Sequence, residues 1–484
     1  MRMRYLMILV AYFAFLGIGT IDAQSRYQVN NSLILKNRDC DLTRFSLILP
    51  APVNNIYQDI SGMRISSGEI IDIDGTPNKY LRDLCESDLP GRGEEYRLSM
   101  DFSVTLYPMY IDMDQFTTLY PYDTESEIYK KYTINKNEYI DTNNIGIRNI
   151  SDQLWQESNG DIIAYARLCY EYVATHFKYL NPNTGIHPIA KILSDGGGDC
   201  GNLASIFVNL LRAKKIPAKH IVTVRPDGTY HVWADFYLEK YGWIPVDVNR
   251  KLDDPQGNYF GYCLGDGIVM SEDILHNIEF VSGEKYEAVI LQTFYFWYWC
   301  MSGHNIDVSQ QIQANQESFV HNPIISHVNA QEAIVTWDPV YGATGYRLEI
   351  REVSSGTMVD QITKDSDSFN HELSGLNPDT DYEIALVPLR KVGNIETQMG
   401  WYYVRFRTDH LSTINEVVED VATSVWGNSG SLFIRSNKSG EAFISTFMGR
   451  SFQSIPFSAG ETRISLPNGY YIVKIGDEVF KIAL

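Results

Sequence analysis

Cysteine is scarce, six among 484 residues, too few for the disulfide framework of a small secreted scaffold. Positive charge is also short. Forty Lys and Arg stand against 60 Asp and Glu, a formal charge of −20 and a pI of about 4.9, and that average field repels a long polyanion. Nucleic acid is not an expected partner. No His/Cys/Asp/Glu spacing stands out as a metal site, so neither a metal nor a cofactor is expected. Charged residues at 21% and hydrophobic residues at 44% are ordinary globular usage, which argues against disorder, collagen and a polytopic membrane protein. What is plentiful is tyrosine, 32 residues, beside 35 Gly and 18 Pro. Strands and turns use these residues more readily than helices do. The length, about three times a ~150-residue domain, implies several cores.

Residues 1–23 open with Arg2 and Arg4, continue through an apolar stretch to about Ile18 and end on a small residue, Ala23. This is the layout of a secretory signal peptide, and the stretch is shorter than the ~20 residues of a spanning helix. Cleavage after Ala23 is expected, which makes the exported form more acidic still. No Cys follows closely, so a lipoprotein anchor has no attachment point. The cysteines are Cys40, Cys85, Cys169, Cys200, Cys263 and Cys300. An even count permits three bridges without requiring any, and Cys40 with Cys85 is one pairing among those left open.

Residues 26–147 alternate short apolar runs, such as Phe45-Ser-Leu-Ile-Leu and Phe102-Ser-Val-Thr-Leu-Tyr, with turns such as Asp74-Gly75, the pattern of an antiparallel β-sandwich. From Asp161, Ile162, Ala166, Cys169, Tyr170, Val173 and Phe177 recur at helical spacing. After Ser194-Asp-Gly-Gly-Gly-Asp-Cys200-Gly, a second helix carries Leu203, Ile206, Phe207, Leu210 and Leu211 on one apolar face. The turn Pro226-Asp-Gly228 between two apolar runs predicts a hairpin. In its second strand Val232, Ala234, Phe236 and Leu238 share one side, while His231, Trp233 and Asp235 share the other. The next strand, from Trp243, sets Ile244, Val246 and Val248 opposite Asp247, so aligning the aliphatic faces brings His231 and Asp247 to one side of the sheet. The aromatic run Thr293-Phe-Tyr-Phe-Trp-Tyr-Trp299 predicts a buried strand. From about His321, spaced strands with Trp337, Tyr346 and Tyr382 form a separate sandwich, and about 60 residues from Val425 form a last set of short strands.

Cys200 falls in the first turn of a helix, where free backbone N–H groups and the helix dipole favour a thiolate. A Cys nucleophile also needs an imidazole within reach of its sulfur and a carboxylate to fix the imidazole tautomer. His231 and Asp247 supply both. Singly, each has a plainer reading: a structural Cys at a helix start, a surface His in a strand, an Asp capping a turn. His220 is the competing base, but it begins the strand before the hairpin. Asp253-Asp254 before Pro255 reads as a solvated turn. With Cys200 as nucleophile, five cysteines remain and at least one further thiol is unpaired; Cys169, on the apolar helix face, is the candidate.

The stretches Gly198-Asp-Cys200-Gly-Asn-Leu-Ala-Ser-Ile-Phe-Val-Asn-Leu-Leu-Arg212, Ile216-Pro-Ala218, His231-Val-Trp233 and Gly242-Trp-Ile-Pro-Val-Asp247 resemble the transglutaminase-like superfamily over about 100 residues from Asp161. The resemblance implies an α+β chain with a papain/transglutaminase-like core flanked by β-sandwich domains. It makes Cys200 the nucleophile, His231 the general base and then acid, and Asp247 the orienting carboxylate. It also implies an oxyanion hole from the Cys200 N–H and an upstream side chain, for which Tyr179 is a candidate. Residues 321–409, with Leu376-Asn-Pro378-Asp-Thr380-Asp-Tyr382, resemble a fibronectin type III module, with the Tyr382 hydroxyl as tyrosine-corner donor. The end, with Leu466-Pro-Asn-Gly-Tyr-Tyr-Ile-Val-Lys-Ile-Gly and Phe480-Lys-Ile-Ala-Leu484, resembles the C-terminal sorting domain of type IX secretion in Bacteroidetes.

The expected layout is a signal peptide at 1–23, a β-sandwich at 24–150, the catalytic core at 151–320, the fibronectin-like domain at 321–409, a linker at 410–424 and a terminal β-sandwich at 425–484. The expected function is an exported cysteine enzyme, a peptidase or amidase, acting on a protein or peptide through a thioester. A protein transglutaminase and an inert surface binding protein, its sandwiches engaging a glycan or protein, are the alternatives. Expected localisation is secreted or at the surface of a Gram-negative bacterium, reached through the periplasm, with the secretion machinery as partner of the terminal domain.

Overall fold

The computed structural model of the protein describes residues 24–180, 185–317, 323–411 and most of 423–483. The signal segment and the greater part of the linker lie outside the described residues. The chain is about 15% helix and 50% strand, an α+β protein, and it divides into two compact units, Met1–His410 and Leu411–Leu484.

The N-terminal sandwich is two four-stranded antiparallel sheets. One runs in the order Ile306–Glu317, Ser25–Asn37, Glu95–Leu106, Gln58–Ile65; the other runs Tyr295–Cys300, Leu42–Ala51, Lys79–Cys85, Glu69–Asp72. Alternation sends Val29, Leu33, Leu35, Phe45, Leu47, Leu49, Leu98 and Met100 into the shared core. Each sheet therefore takes its edge strand from beyond Asp247, within the interval that the sequence assigned to the core. The aromatic run Tyr295–Cys300 is such an edge strand, and none of its residues is fully buried; the expectation of a buried strand is corrected. Its rings are covered in part from both sides. Phe294 and Tyr298 lie against the sandwich core, while Phe280 stacks on Trp297 with ring centroids 4.4 Å apart. A disulfide joins Cys40 to Cys300 across 260 residues, so Cys40 does not pair with Cys85. Cys85, Cys169, Cys200 and Cys263 are free.

The central unit is a four-stranded antiparallel sheet, Gly242–Val246, Tyr230–Leu238, Ala218–Val224, Ile268–Glu272, packed on the helix Cys200–Ala213. The helices Ile145–Glu157 and Ile162–His176 pack around that helix. The first of these begins before the change of pattern at Asp161, with Ile147, Ser151 and Leu154 buried along one side. The cysteine helix is buried almost all round rather than on one face, because Asn202, Ser205, Asn209 and Arg212 are also inside. Each is hydrogen-bonded there, as buried polar groups need to be: Asn209 donates to the Tyr139 carbonyl at 3.1 Å and Arg212 to the Ala218 carbonyl at 2.8 Å.

The fibronectin-like strands form two sheets, one of which continues into the central unit. Ile395–Gln398 pairs with Met109–Ile111, which pairs in turn with Tyr262–Cys263. Ile395 is part of the hydrophobic core of the central unit, and Arg390 lies 3.9 Å over the Tyr107 ring while donating to the Ile56 carbonyl at 2.7 Å. This sandwich shares a sheet with its neighbour instead of standing separate. The Tyr382 hydroxyl accepts the Asn377 N–H at 2.8 Å, the reverse of the donor role expected of it. The unit Leu411–Leu484 holds a three-stranded and a four-stranded sheet around Leu432, Ile434, Ala442, Ile444 and Val473.

Candidate active site

Cys200 owes its position to a capped helix start and a glycine loop. The Asp199 side chain accepts the Asn202 N–H at 3.0 Å and the Asn202 Nδ2 at 2.7 Å, so the helix begins at Cys200 with its first N–H groups still free. Asn202 in turn accepts the His187 N–H at 2.9 Å and donates to the Gly185 carbonyl at 3.1 Å, fastening the preceding loop. Gly197, at φ 147°, runs parallel to Lys178–Tyr179, and a Cβ there would lie 2.0 Å from the Lys178 carbonyl oxygen. Glycine is therefore required at that position. The result is a partly accessible thiol at a helix N-terminus.

His231 is the second residue of its strand, in register with Thr223. Asp247 directly follows the strand Gly242–Val246 and caps the short helix Val248–Asp253, accepting the Arg250 N–H at 3.1 Å. The two meet at 2.6 Å through His231 Nε2 and Asp247 Oδ2, both residues buried. Asp247 takes Nε2, and Cys200 is the other group whose influence the ring feels. Burial opposes a charged His231, but the Asp247 charge, its hydrogen bond and Cys200 outweigh it and raise the imidazole to about 9. Burial likewise opposes a charged Asp247, and the His231 and Arg250 charges with the Arg250 N–H prevail, holding its carboxyl below the ordinary value. The structure thus brings the three sequence-derived residues together, with His231 held by the Asp247 carboxylate near the partly accessible Cys200.

Tyr179 is half-exposed on the strand parallel to Gly197–Gly198; burial and the nearby negative groups Cys200, Asp199 and Asp253 raise its pKa. His220 is fully buried, its Nε2 2.8 Å from Ser205 Oγ and its Nδ1 3.8 Å from Asp273, with burial lowering its pKa. It cannot serve Cys200. Asp253 and Asp254 are exposed and accept from Asn249 and Tyr259 at 3.1 and 2.9 Å. The sequence reading missed Asn202, which holds the loop, and Arg250, whose Nε is 3.3 Å from Asp247 Oδ2. The spacings Asp199-x-x-Asn202 and Asp247-x-x-Arg250 were the available signals, both helix-capping intervals.

Residues 148–248 match the transglutaminase-like superfamily, and residues 318–398 match the fibronectin type III domain. An uncharacterised protein of Haemophilus influenzae is 33% identical over 12% of this chain and 23% of its own; the chain spans about a quarter of that curated relative. Among solved structures, a provisionally assigned cysteine protease from Cytophaga hutchinsonii is 11% identical, with a TM-score of 0.43, over 61% of this chain and 92% of that one. The fibronectin type III domain of human collagen alpha-1(XX) is 15% identical, with a TM-score of 0.18, over 22% and 93%. The chain therefore carries a transglutaminase-like domain at residues 148–248 and a fibronectin type III domain at residues 318–398.

Proposed function

We propose that the protein is an exported cysteine enzyme that hydrolyses an amide bond in a protein or peptide. The observation that carries this reading is the buried 2.6 Å contact of His231 with Asp247, beside a partly accessible Cys200 at a helix N-terminus. The Cys200 thiolate attacks the carbonyl carbon, and the carbonyl electron pair moves to oxygen. The Cys200 N–H and the Tyr179 hydroxyl are the donors assigned to that oxyanion. His231 gives its proton to the departing amine, leaving a thioester. It then takes a proton from water as the water attacks, and the acid and the thiolate are released. Asp247 holds the ring and stabilises its cation throughout.

Water is the preferred acceptor because it is abundant and Cys200 is partly exposed. Export through the N-terminal segment and recognition of the terminal unit by secretion machinery belong to the same proposal. The test is alkylation of Cys200 by iodoacetamide near pH 7, together with an amide and peptide library screen. Fast alkylation that is lost in His231→Ala, with turnover of at least one amide, is the expected result. A Cys200 no more reactive than an ordinary exposed thiol would leave the inert scaffold as the better reading.

A further inference from the structure

The Asp247 carboxylate is divided between two partners. Oδ1 accepts the Arg250 backbone N–H at 3.1 Å, while Oδ2 faces both His231 Nε2 at 2.6 Å and Arg250 Nε at 3.3 Å. The other end of the same guanidinium reaches Asp266 at 2.5 Å, and Asp266 stands 3.3 Å from Arg225. Charges alternate along this path from Arg225 through Asp266, Arg250 and Asp247 to His231. The Arg250 side chain is 20% exposed and Asp266 is 41% exposed, so the path runs from the surface to the catalytic ring. The remaining titratable groups near it are Cys200, Cys263, Tyr262, and the hydroxyls of Tyr170 and Tyr259 within the field of Asp247.

We infer that Arg250 is a positioning residue for the triad, its guanidinium sharing Asp247 Oδ2 with the imidazole and so limiting how firmly the imidazolium is held. The inference rests on the cysteine-enzyme reading above. Asp266 sets the division by drawing the guanidinium away from Asp247. Arg250→Met keeps the backbone N–H that fixes Oδ1, so Asp247 stays in place and Oδ2 belongs to His231 alone. Asp266→Asn does the opposite, leaving the guanidinium to Asp247.

The test follows iodoacetamide alkylation of the Cys200 peptide by mass spectrometry from pH 5 to 10 in the full chain. A coupled thiol and imidazole titrate in two steps that belong to the pair, and the upper step reports loss of the imidazolium. In Arg250→Met the upper step moves up by about one pH unit, the size of a lost neighbouring charge; in Asp266→Asn it moves down. A purely structural role would slow both variants without displacing the step, or displace both in one direction, and either result overturns the inference. Should Arg250→Met fail to fold, Asp266→Asn decides alone, since an unmoved or raised step overturns it. A wild-type profile with no His231-dependent step sinks the enzyme reading and this inference together, whereas a normal wild-type profile with unmoved variants sinks only the inference.

Discussion

The cysteine helix carries two nucleophilic side chains five residues apart, and each meets a histidine from the sheet and an aspartate beyond it. One set is Cys200, His231 and Asp247; the other is Ser205, His220 and Asp273. Both histidines are buried, yet one is raised to about 9 and the other is lowered. Burial disfavours the cation in both. What differs is how much carboxylate charge is left for the ring. Asp273 already faces Arg212 at 3.0 Å and Lys136 at 2.7 Å, with His220 at 3.8 Å, so little of its field remains uncompensated. Asp247 faces a single shared guanidinium and lies 2.6 Å from His231. Access separates them too, since Ser205 is 0% exposed while Cys200 is partly open. Similar side-chain sets thus differ in access and in the charge left for the histidine, and only the Cys200 set is open at its nucleophilic end.

Exchange of each nucleophile for alanine gives the largest contrast. Cys200→Ala should lose turnover by on the order of 10⁴ or more, as expected for loss of a covalent nucleophile, with unchanged urea stability. Ser205→Ala should keep activity within about tenfold and lose about 1 kcal/mol of stability, the net worth of an ordinary hydrogen bond. A Ser205→Ala enzyme as dead as Cys200→Ala would erase the distinction.

The aspartates should divide the other way. Asp273→Asn leaves the buried Arg212 and the partly buried Lys136 short of their anion and should cost about 3–5 kcal/mol in urea unfolding. Asp247→Asn should stay folded and lose about 10- to 10³-fold in kcat/KM, less than the ~10⁴ of a serine triad, because a cysteine site that starts from a thiolate–imidazolium pair uses the carboxylate to hold a charge already present. Wild-type kcat/KM should fall above pH 9, where the imidazolium is lost, and the fall should come at lower pH in Asp247→Asn. Because the folded His231 value lies above the unfolded value of about 6.5, its pairing stabilises fully below that value and is lost as pH rises through 9. A pH–rate profile and Tm measured against pH check both.

The smallest effect concerns a third buried acid. Asp235, on the same strand face as His231, accepts the Tyr57 hydroxyl at 2.6 Å and is raised by burial to about 7. Its unfolded value is about 3.9, so the folded state holds a proton that the unfolded chain releases. Wild-type stability should therefore fall as pH rises from about 4 to 7. In Asp235→Asn that decline should shrink by a few degrees of Tm, and an unchanged slope would remove Asp235 as its source.

The placement of His231 beside Asp247, and of Cys200 at a helix start, was legible in the sequence because it follows from local rules. Alternation along Tyr230–Leu238 and a residue directly after Val246 suffice to bring His231 and Asp247 to one side, and a cap at Asp199 suffices to start the helix at Cys200. Arg250 was not legible as a partner, because its side-chain direction depends on Asp266, sixteen residues later. The Cys40–Cys300 pairing was equally hidden, since it needs the edge strand Tyr295–Cys300 to return beside Leu42–Ala51.

By itself the sequence determined the α+β class, the strand-rich flanks, the hairpin at Asp227-Gly228 and the order of the three site residues. Each depends on periodicity or on turn chemistry within a few residues. Only the tertiary structure decided that residues 295–317 close the first sandwich and that Ile395–Gln398 joins the sheet of Met109–Ile111. It also decided that the His231 pKa is raised while that of His220 is lowered. Those outcomes depend on which distant charges and strand edges meet, and no local pattern encodes a pairing across hundreds of residues.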